Sequence, residues 1–423
     1  MQLRYTFRIE PGPGQRSALA RAFGCARVVY NDGLRARETA RSRGLPFLKT
    51  GDLSKALITD AKQTPERAWL GEVSAVVLQQ SLRDLDAAYR NFFDGLEGKR
   101  PRVSAPRFKS KRDNRQAVRF TANARWSLTS GGKLRLPKIG DVKVRWSRPL
   151  PSTPSSVTVV KDAAGRYFAS FVISTDPSEM LPETTGAVGI DLGLTYFAVL
   201  SDGRKISSPK FFRRAEKKLR KAQQNLARKT RGSGNRRKAV VRVARAHARV
   251  ADARRDFHHK LSTTLIRENQ AVYVEDLPVK GLARTRLAKS VHDAGWSAFV
   301  SMLEYKAARY GRTFTRVDRF FPSSQLCSAC GVKDGPKPLE VREWTCRACG
   351  AVHDRDVNAA RNVRREGSKV AAGQVETQNA CGAQVRPVLV PAQRAIRTRV
   401  RKKQEPTRSC QPTGWVQAGI PGL

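Results

Sequence analysis

The chain has 423 residues, of which 81 are lysine or arginine and 36 are aspartate or glutamate, so its formal net charge is +45 and its isoelectric point lies near 11.1. This length predicts two or three domains, and the excess of cations points to nucleic acid, with an anionic membrane surface as the competing interpretation. No apolar run approaches the ~20 residues of a membrane span, and the first ten residues lack the apolar core of a signal peptide. We therefore expect an intracellular protein with no membrane partner.

The amino-terminal part combines β-type and helical patterns. Residues 3–9, "LRYTFRI", alternate as in a short strand. Residues 15–38 have a helical pattern, and a second helical stripe of apolar residues runs from Leu78 to Leu96. Residues 116–174 hold short β-type runs separated by turn residues, which predicts a small antiparallel barrel or sheet. The polar stretch "STDPSEMLPETTG" that follows predicts a linker.

The second half opens with "AVGIDLGLTYFAVL" at 187–200, an apolar run typical of a strand buried on both faces and followed by a hairpin partner. Residues 204–255 carry 20 lysine and arginine residues against two acids, and their two apolar stripes predict an antiparallel helix pair with basic outer faces. "AVYVEDL" at 271–277 predicts another buried strand, and 297–311 another helix. Beyond about residue 370 the pattern is that of a basic disordered tail.

Four of the seven cysteines form two CxxC pairs separated by fifteen residues: Cys327, Cys330, Cys346 and Cys349. A glycine follows each pair, as a tight metal-binding turn requires. Four thiolates make a closed tetrahedral zinc site that leaves no position for a water molecule, so the predicted role is structural. A redox dithiol pair or a chance spacing is the competing interpretation.

Three acids stand where a soluble protein rarely places them. Asp191 interrupts an apolar strand, Glu275 ends "VYVE", and Asp356 begins a helix-like run just after the second CxxC pair. Because burying an isolated carboxylate is costly, each needs a cation or a hydrogen-bond donor. A strand-end cap, an arginine pair or a helix N-cap would satisfy each one singly, whereas a shared divalent metal would satisfy all three. From the residues alone, Asp354 and Asp356 cannot be ranked as metal ligands.

Hard oxygen ligands of this kind suit Mg²⁺ or Mn²⁺ better than zinc. Two such ions about 4 Å apart can support phosphodiester hydrolysis. The surrounding cations would then hold a polyanionic substrate.

The motifs "GIDLG", "VYVEDL", the CxxC pairs and "HDRDVNAARN", in this order, resemble the RuvC-like nuclease core of TnpB, the transposon-associated OrfB family related to the type V CRISPR effectors. "FGCARVVYN", "AYRNFFDGL" and "PRFKSK" resemble the amino-terminal half of that family. The resemblance covers roughly residues 1–365. It favours Asp356 over Asp354 as the third metal-binding acid, together with Asp191 and Glu275.

The resemblance implies an α/β multidomain fold. A β-barrel wedge domain would be built from residues 1–14 and 116–182, and a helical recognition domain from 15–115. Residues 183–368 would form a ribonuclease H-like (RuvC) nuclease domain that contains the basic helix pair (204–255) and an inserted zinc ribbon (323–352). Residues 369–423 remain as the disordered basic tail.

The activity implied by the resemblance is RNA-guided cleavage of double-stranded DNA beside a short adjacent motif, with a guide RNA from the transposon end. The protein would act in the cytoplasm of a prokaryote, associated with the nucleoid. A nuclease-inactive RNA-guided repressor and a strand-transferring transposase are the alternatives.

The basic segments predict the surface for the guide and target strands, where phosphates are contacted without reading sequence; a solvated charged face is the competing interpretation. The candidate nucleic-acid-binding residues are Arg107, Lys109, Lys217, Lys218, Arg220, Lys221, Arg236 and Arg237. Tyr30, Phe92 and Phe108 are candidates for stacking on bases, although core packing is the stronger interpretation for Phe92.

Overall fold

The structure is a computed structural model that describes residues 2–113, 115–174, 180–338 and 340–379. Residues Met1–Gly373 form one compact unit, and Gln374–Leu423 are assigned to a second. Most of the predicted tail, residues 380–423, lies outside the described residues. None of the helices in the described ranges has the length and apolarity needed to cross a membrane.

A seven-stranded antiparallel sheet joins the first residues of the chain to the segment after residue 115. Its order is β2-β6-β7-β1-β5-β4-β3. The long central strand β1 is buried at Tyr5, Phe7 and Ile9 and largely exposed at the alternate positions, as its alternating sequence predicts. The strands are β1 (Gln2–Glu10), β2 (Gln116–Thr121), β3 (Ser127–Leu128), β4 (Leu134–Leu136), β5 (Gly140–Arg145), β6 (Ser156–Lys161) and β7 (Tyr167–Ser174).

Three helices follow β1: α1 (Pro13–Ser42), α2 (Thr50–Ser54) and α3 (Ala75–Leu96). Leu19, Phe23 and Leu78 of these helices share one buried apolar cluster with Phe7 and Phe171 of the sheet. Within the described residues, β2 and β3 are the end strands and each pairs with a neighbour on one side only, so the sheet is open, whereas the resemblance implied a β-barrel. The physical reason is that α1 and α3 supply the apolar side chains that cover it. The helical section therefore shares its core with the sheet.

The second half is built on a five-stranded sheet of order β10-β9-β8-β11-β12. Strands β8, β11 and β12 are parallel, and β9 and β10 continue the sheet in antiparallel pairs. The predicted apolar runs form β8 and β11, whose residues Val188, Ile190, Val272 and Val274 are buried against helices. The strands are β8 (Ala187–Asp191), β9 (Tyr196–Leu200), β10 (Lys205–Ser207), β11 (Ala271–Glu275) and β12 (Thr313–Val317).

The basic helix pair is present as α4 (Phe211–Ala227) and α5 (Gly234–Glu268). Its bounds differ from the predicted 204–255, because β10 occupies part of the first segment and α5 continues to residue 268. The continuation has a physical cause: Phe257, Leu261 and Leu265 prolong the apolar stripe of α5 onto the core of the five-stranded sheet. Helices α6 (Val279–Leu282), α7 (Ala288–Ala294) and α8 (Trp296–Tyr310) complete this half.

The last elements are a two-stranded ribbon, β13 (Glu343–Thr345) and β14 (Val352–Asp354), and the helix α9 (Arg355–Asn379). Helix α9 crosses the boundary at which the disordered tail was predicted to begin, residue 369. Residues 369–379 are rich in good helix formers such as alanine, glutamine and lysine, which lets the helix continue.

Candidate functional site

The three candidate acids lie at one edge of the five-stranded sheet. Asp191 is the last residue of β8 and Glu275 the last of β11, and these neighbouring strands are parallel, with Ile190 opposite Val274. The carboxyl ends of the strands therefore meet. Asp356, in the first turn of α9, lines the same cavity of about 360 Å³ as the other two.

Two glycines bring α9 against the sheet. A Cβ atom added to Gly189 in β8 would lie 2.1 Å from the carbonyl oxygen of Ala360, and one added to Gly367 would lie 2.5 Å from the ring of Tyr273. Both distances are too short for any residue with a Cβ atom at these two positions. Helix α9 therefore passes directly over β8 and β11. The absence of two Cβ atoms sets the distance between Asp356 and the strand ends.

The cavity concentrates negative charge. Burial and, after it, the carboxylates of Glu275 and Asp356 together raise the pKa of Asp191 to about 7, and Arg355 opposes the shift. Burial and the neighbouring Asp276 also raise the pKa of Glu275, against a hydrogen bond from Ser323. A shared cation would relieve this unfavourable accumulation, and the donor set consists of carboxylate oxygens, the ligands that hard divalent cations prefer.

Asp354 and Asp356, alike in the sequence, have different roles in the structure. Oδ1 of Asp354 accepts hydrogen bonds from the amides of Asp356 (3.1 Å) and Val357 (2.9 Å), so Asp354 is the N-cap of α9. Its other oxygen pairs with Nζ of Lys205 at 2.6 Å. Although burial acts to raise it, these bonds hold the pKa of Asp354 below its usual value. Asp356 is therefore free of the capping role.

Arg342 is a site residue that sequence reasoning missed. Its Nη1 lies 3.2 Å from Oδ2 of Asp356, and its Nη2 donates to Oγ1 of Thr195 at 3.3 Å. One arginine among so many carries no signal in the sequence. Arg319 and Arg355 line the same cavity, so cations surround the three acids.

The four cysteines converge as their spacing predicts. Their sulfur atoms all lie within 4.8 Å of one another, which makes them, within the described ranges, the one tight cluster of potential metal ligands. Gly331 and Gly350, with φ of 81° and 72°, adopt the left-handed conformation that closes each CxxC turn. Four converging sulfur donors fit a structural zinc ion.

A buried histidine adds to this cluster: Nε2 of His353 lies 3.0 Å from the sulfur of Cys327. Sequence reasoning did not assign His353 a part in the metal centre. Metal-bound sulfur atoms commonly accept such hydrogen bonds from neighbouring groups.

Two buried asparagines fasten the cysteine cluster to α9. Asn358 accepts a hydrogen bond from the amide of Ser328 (2.8 Å) and donates to the carbonyl of Leu326 (2.7 Å). Asn362, one turn later, donates to the carbonyls of Ser323 (2.8 Å) and Leu326 (2.7 Å). The motif "DVNAARN" thus places on one helix the acid Asp356 and two asparagines that bind the backbone around the first cysteine pair. This role of the asparagines was not predicted from the sequence.

The candidate nucleic-acid-binding residues divide into two groups. Arg107, Lys217, Lys218, Arg220, Lys221 and Arg237 are exposed. Lys109 instead places its ammonium 3.7 Å from the ring centre of Tyr30, and burial lowers its pKa. Arg236 donates to the carbonyls of Leu226 (3.1 Å) and Lys229 (3.0 Å) and so closes the end of α4. Among the stacking candidates, Tyr30 is buried and Phe108 exposed.

The cleft between α4 and α5 adds further cations. A cavity of about 390 Å³ is lined by Lys218 and Lys221 of α4 and by Arg242, Arg245 and Arg249 of α5. The three arginines recur at intervals of three and four residues, a helical spacing that could have identified them in the sequence.

Three family models match separate parts of the chain. A "Helix-turn-helix domain" of the OrfB family matches residues 1–45, the OrfB family model described as "Probable transposase" matches 170–286, and "Cas12f1-like, TNB domain" matches 296–363. The last of these spans the cysteine cluster and the first turns of α9.

Two similar relatives extend along nearly the whole chain. A "Putative RNA-guided DNA endonuclease" of Streptomyces pristinaespiralis is 46% identical, over 99% of this chain and 98% of its own. A "Putative RNA-guided DNA endonuclease InsQ" of Escherichia coli (strain K12) is 29% identical, over 97% of this chain and 98% of its own. Among solved structures, the cryo-EM structure of the Cas12f1-sgRNA-target DNA complex matches with a TM-score of 0.51 at 13% identity, over 83% of this chain and 82% of that chain.

The strand order of the five-stranded sheet and the likeness to Cas12f1 define the class, an α/β protein with a RuvC-like nuclease fold. The identity to full-length relatives makes the assignment more specific. The chain belongs to the TnpB family of RNA-guided DNA endonucleases.

Proposed function

We propose that the protein is an RNA-guided DNA endonuclease that hydrolyses phosphodiester bonds of a target DNA beside a short adjacent motif. The observation that supports this most directly is the convergence of Asp191, Glu275 and Asp356 on one cavity, in a chain whose full-length relatives are described as RNA-guided DNA endonucleases. These three acids would be the catalytic residues.

The catalytic cofactor would be Mg²⁺ or Mn²⁺, held by the three carboxylates. When bound, such ions activate a water molecule and stabilise the leaving oxygen of the phosphodiester. Asp191 and Glu275 are fixed by the ends of their strands, and Asp356 by the first turn of α9. Arg342, which pairs with Asp356, and Arg319 and Arg355 beside it would bind the phosphates of the DNA strand.

The zinc ribbon would contribute by positioning α9 through hydrogen bonds. Cys327, Cys330, Cys346 and Cys349 would hold zinc, and Asn358 and Asn362 hydrogen-bond the backbone of the first cysteine turn. The metal would thereby fix the beginning of α9, where Asp356 lies.

The guide RNA would come from the transposon end, and the exposed cations of α4 and α5 would contact its phosphates or those of the heteroduplex. We assign residues 1–14 and 116–182 to a wedge domain, 15–115 to a recognition domain and 183–368 to the nuclease domain. In a prokaryotic cell, the protein would act in the cytoplasm at the nucleoid.

Two alternatives are less well supported. A nuclease-inactive repressor would have lost one of the acids, whereas all three line the cavity. A strand-transferring transposase would share three acids on a similar fold, but the full-length relatives are described as RNA-guided endonucleases.

The test is cleavage by the complex of the purified protein with its copurifying RNA, on DNA that carries the guide complement and a randomised flanking sequence. We expect cutting only with Mg²⁺ or Mn²⁺. Asp191→Ala should abolish cutting and retain RNA binding, while Asp202→Ala, an exposed acid paired with Arg204, should cut normally. Cutting by Asp191→Ala would refute the site. Cys346→Ser should lose zinc in metal analysis, and full zinc content would refute the ribbon assignment.

A further inference from the structure

An exposed aromatic ring stands at the wall of the acidic cavity. Phe320 lines the same cavity as Asp191, Glu275 and Asp356, and 85% of its surface is accessible to solvent. No other large apolar side chain in the described ranges is as exposed. Single exposed apolar residues are common on proteins, so the position of this one carries the argument.

The ring of Phe320 differs from some other exposed aromatic rings among the described residues in its surroundings. Phe47, another exposed phenylalanine, contacts the ring of Tyr89 at a centroid distance of 5.5 Å. Within the described part of the chain, no aromatic ring and no cationic side chain packs on Phe320. With 85% of its surface accessible in the described structure, the ring can receive a planar group from outside the protein.

The backbone that carries the ring is held in place on both sides. The amide of Phe320 donates to Oδ1 of Asp318 at 2.7 Å, and the preceding Arg319 forms an ion pair with Asp276, the neighbour of Glu275. The following Phe321 packs against the buried cluster that contains Tyr273 and Val317. The open ring is thus presented from a segment fixed to the ends of β11 and β12.

We propose that Phe320 stacks on a nucleobase of the DNA strand that lies across the three acids, and so orients that strand for cleavage. The arginines of the cavity provide the complementary contacts, because a nucleotide offers a phosphate to Arg319, Arg342 or Arg355 and a flat base to the ring. Aromatic stacking is tolerant of base identity, which suits an enzyme directed by a guide. This inference rests on the proposed nuclease function.

The binding test uses the full chain with its copurifying RNA, in an Asp191→Ala background so that no cleavage is needed. The probes are single-stranded DNAs complementary to the guide, each with one 2-aminopurine near the cut site. We expect quenching at one position, loss of that quenching in Phe320→Ala, and its retention in Phe320→Trp. Quenching that is the same in Phe320→Ala and in the parent would overturn the proposal.

The cleavage test keeps all catalytic acids and compares two changes that should remove the same contact. Phe320→Ala should slow single-turnover cleavage about tenfold, the value of one base stack. Phe320→Leu, which keeps an apolar side chain without a flat face, should slow it as much. An abasic site at the quenched position should slow the wild type but add nothing to Phe320→Ala.

Leu287→Ala is the matched control, since Leu287 is exposed (47%) but lies outside the cavity lining, and it should cleave at the wild-type rate. An abasic penalty that persists in Phe320→Ala, or a Phe320→Leu rate equal to wild type, would overturn the stacking role. A wild-type complex that never cuts would refute the nuclease function, while the quenching test still decides the stacking.

Discussion

Replacing Gly189 by alanine should separate the proposed catalytic acids Asp191 and Asp356 while leaving their side chains intact. The added Cβ would lie 2.1 Å from the carbonyl oxygen of Ala360, 2.5 Å from the amide of Arg364 and 2.8 Å from its Cβ. Because Cβ atoms in proteins essentially never approach other atoms within 3.0 Å, α9 or β8 must move until the first contact grows from 2.1 Å to at least 3.0 Å.

The size of the effect follows from that displacement. A shift of about 1 Å at a reacting group can cost about 100-fold in rate, and overpacking of this kind costs about 1–3 kcal/mol of stability. Asp191 lies two residues from the substitution and Asp356 one turn from Ala360, so both positions are affected. We expect Gly189→Ala to bind its RNA normally and to cleave at least about tenfold more slowly.

The assay is single-turnover cleavage at saturating Mg²⁺, with thermal melting and RNA retention measured on the same preparation. The control is Gly24→Ala in the interior of α1, where an added Cβ meets nothing within 4 Å. That variant should cleave normally and gain about 0.5–1 kcal/mol of stability from the lower entropy of the unfolded chain. Cleavage by Gly189→Ala within about twofold of wild type would show that contact with β8 does not position α9 for catalysis.

Three further predictions concern stability, metal retention and RNA binding. Burial lowers the pKa of His258 to about 4 from 6.5, so the stability that its neutral form contributes is present above pH 6.5 and is lost, by about 3 kcal/mol, as the pH falls to 4. In urea denaturation, His258→Gln should flatten the pH dependence of the free energy of unfolding, and His247→Gln, at an exposed position, should not. The same pH dependence in both variants would contradict the prediction. Asn362→Ala removes the two hydrogen bonds of a buried side chain, so the variant should lose zinc to a chelator faster; an unchanged rate of zinc loss would show that these bonds do not hold the metal site. Arg242→Ala should reduce the salt dependence of RNA binding by about one unit in log–log slope, whereas Arg236→Ala should destabilise the hairpin and leave the slope unchanged; the opposite pattern would reverse these roles.

The acid-bearing strands could be predicted because their signals are local. An apolar run interrupted by one carboxylate, as at Asp191, leaves few structures other than a buried strand with a charged end. The CxxC spacing likewise restricts the geometry before any tertiary contact is known, and the four sulfurs converge accordingly. The alternating pattern of β1 is a further local signal, and that strand forms as expected.

The remaining features depend on contacts between distant segments. Asp354 and Asp356 differ in role because α9 begins between them. Its start is fixed by hydrogen bonds from the amides of Asp356 and Val357 to Asp354, the last residue of the ribbon. Lys109 and Arg236 were candidates for nucleic-acid binding, and the structure places the first over Tyr30 and the second on carbonyls at the end of a helix. In a chain with 81 lysine and arginine residues, the sequence does not distinguish such structural cations from those that face a ligand.

The position of Asp356 along the chain has a consequence for the order of synthesis. Strands β8 and β11 can pair once residue 275 has left the ribosome, but the third carboxylate arrives only after the complete ribbon and the first turn of α9 have emerged. Since α9 must also pack across Gly189 to hold that carboxylate, a nascent chain carries Asp191 and Glu275 without the third acid while residues 276–356 are added. The basic helices α4 and α5 can therefore fold and bind RNA before the three acids come together for cleavage.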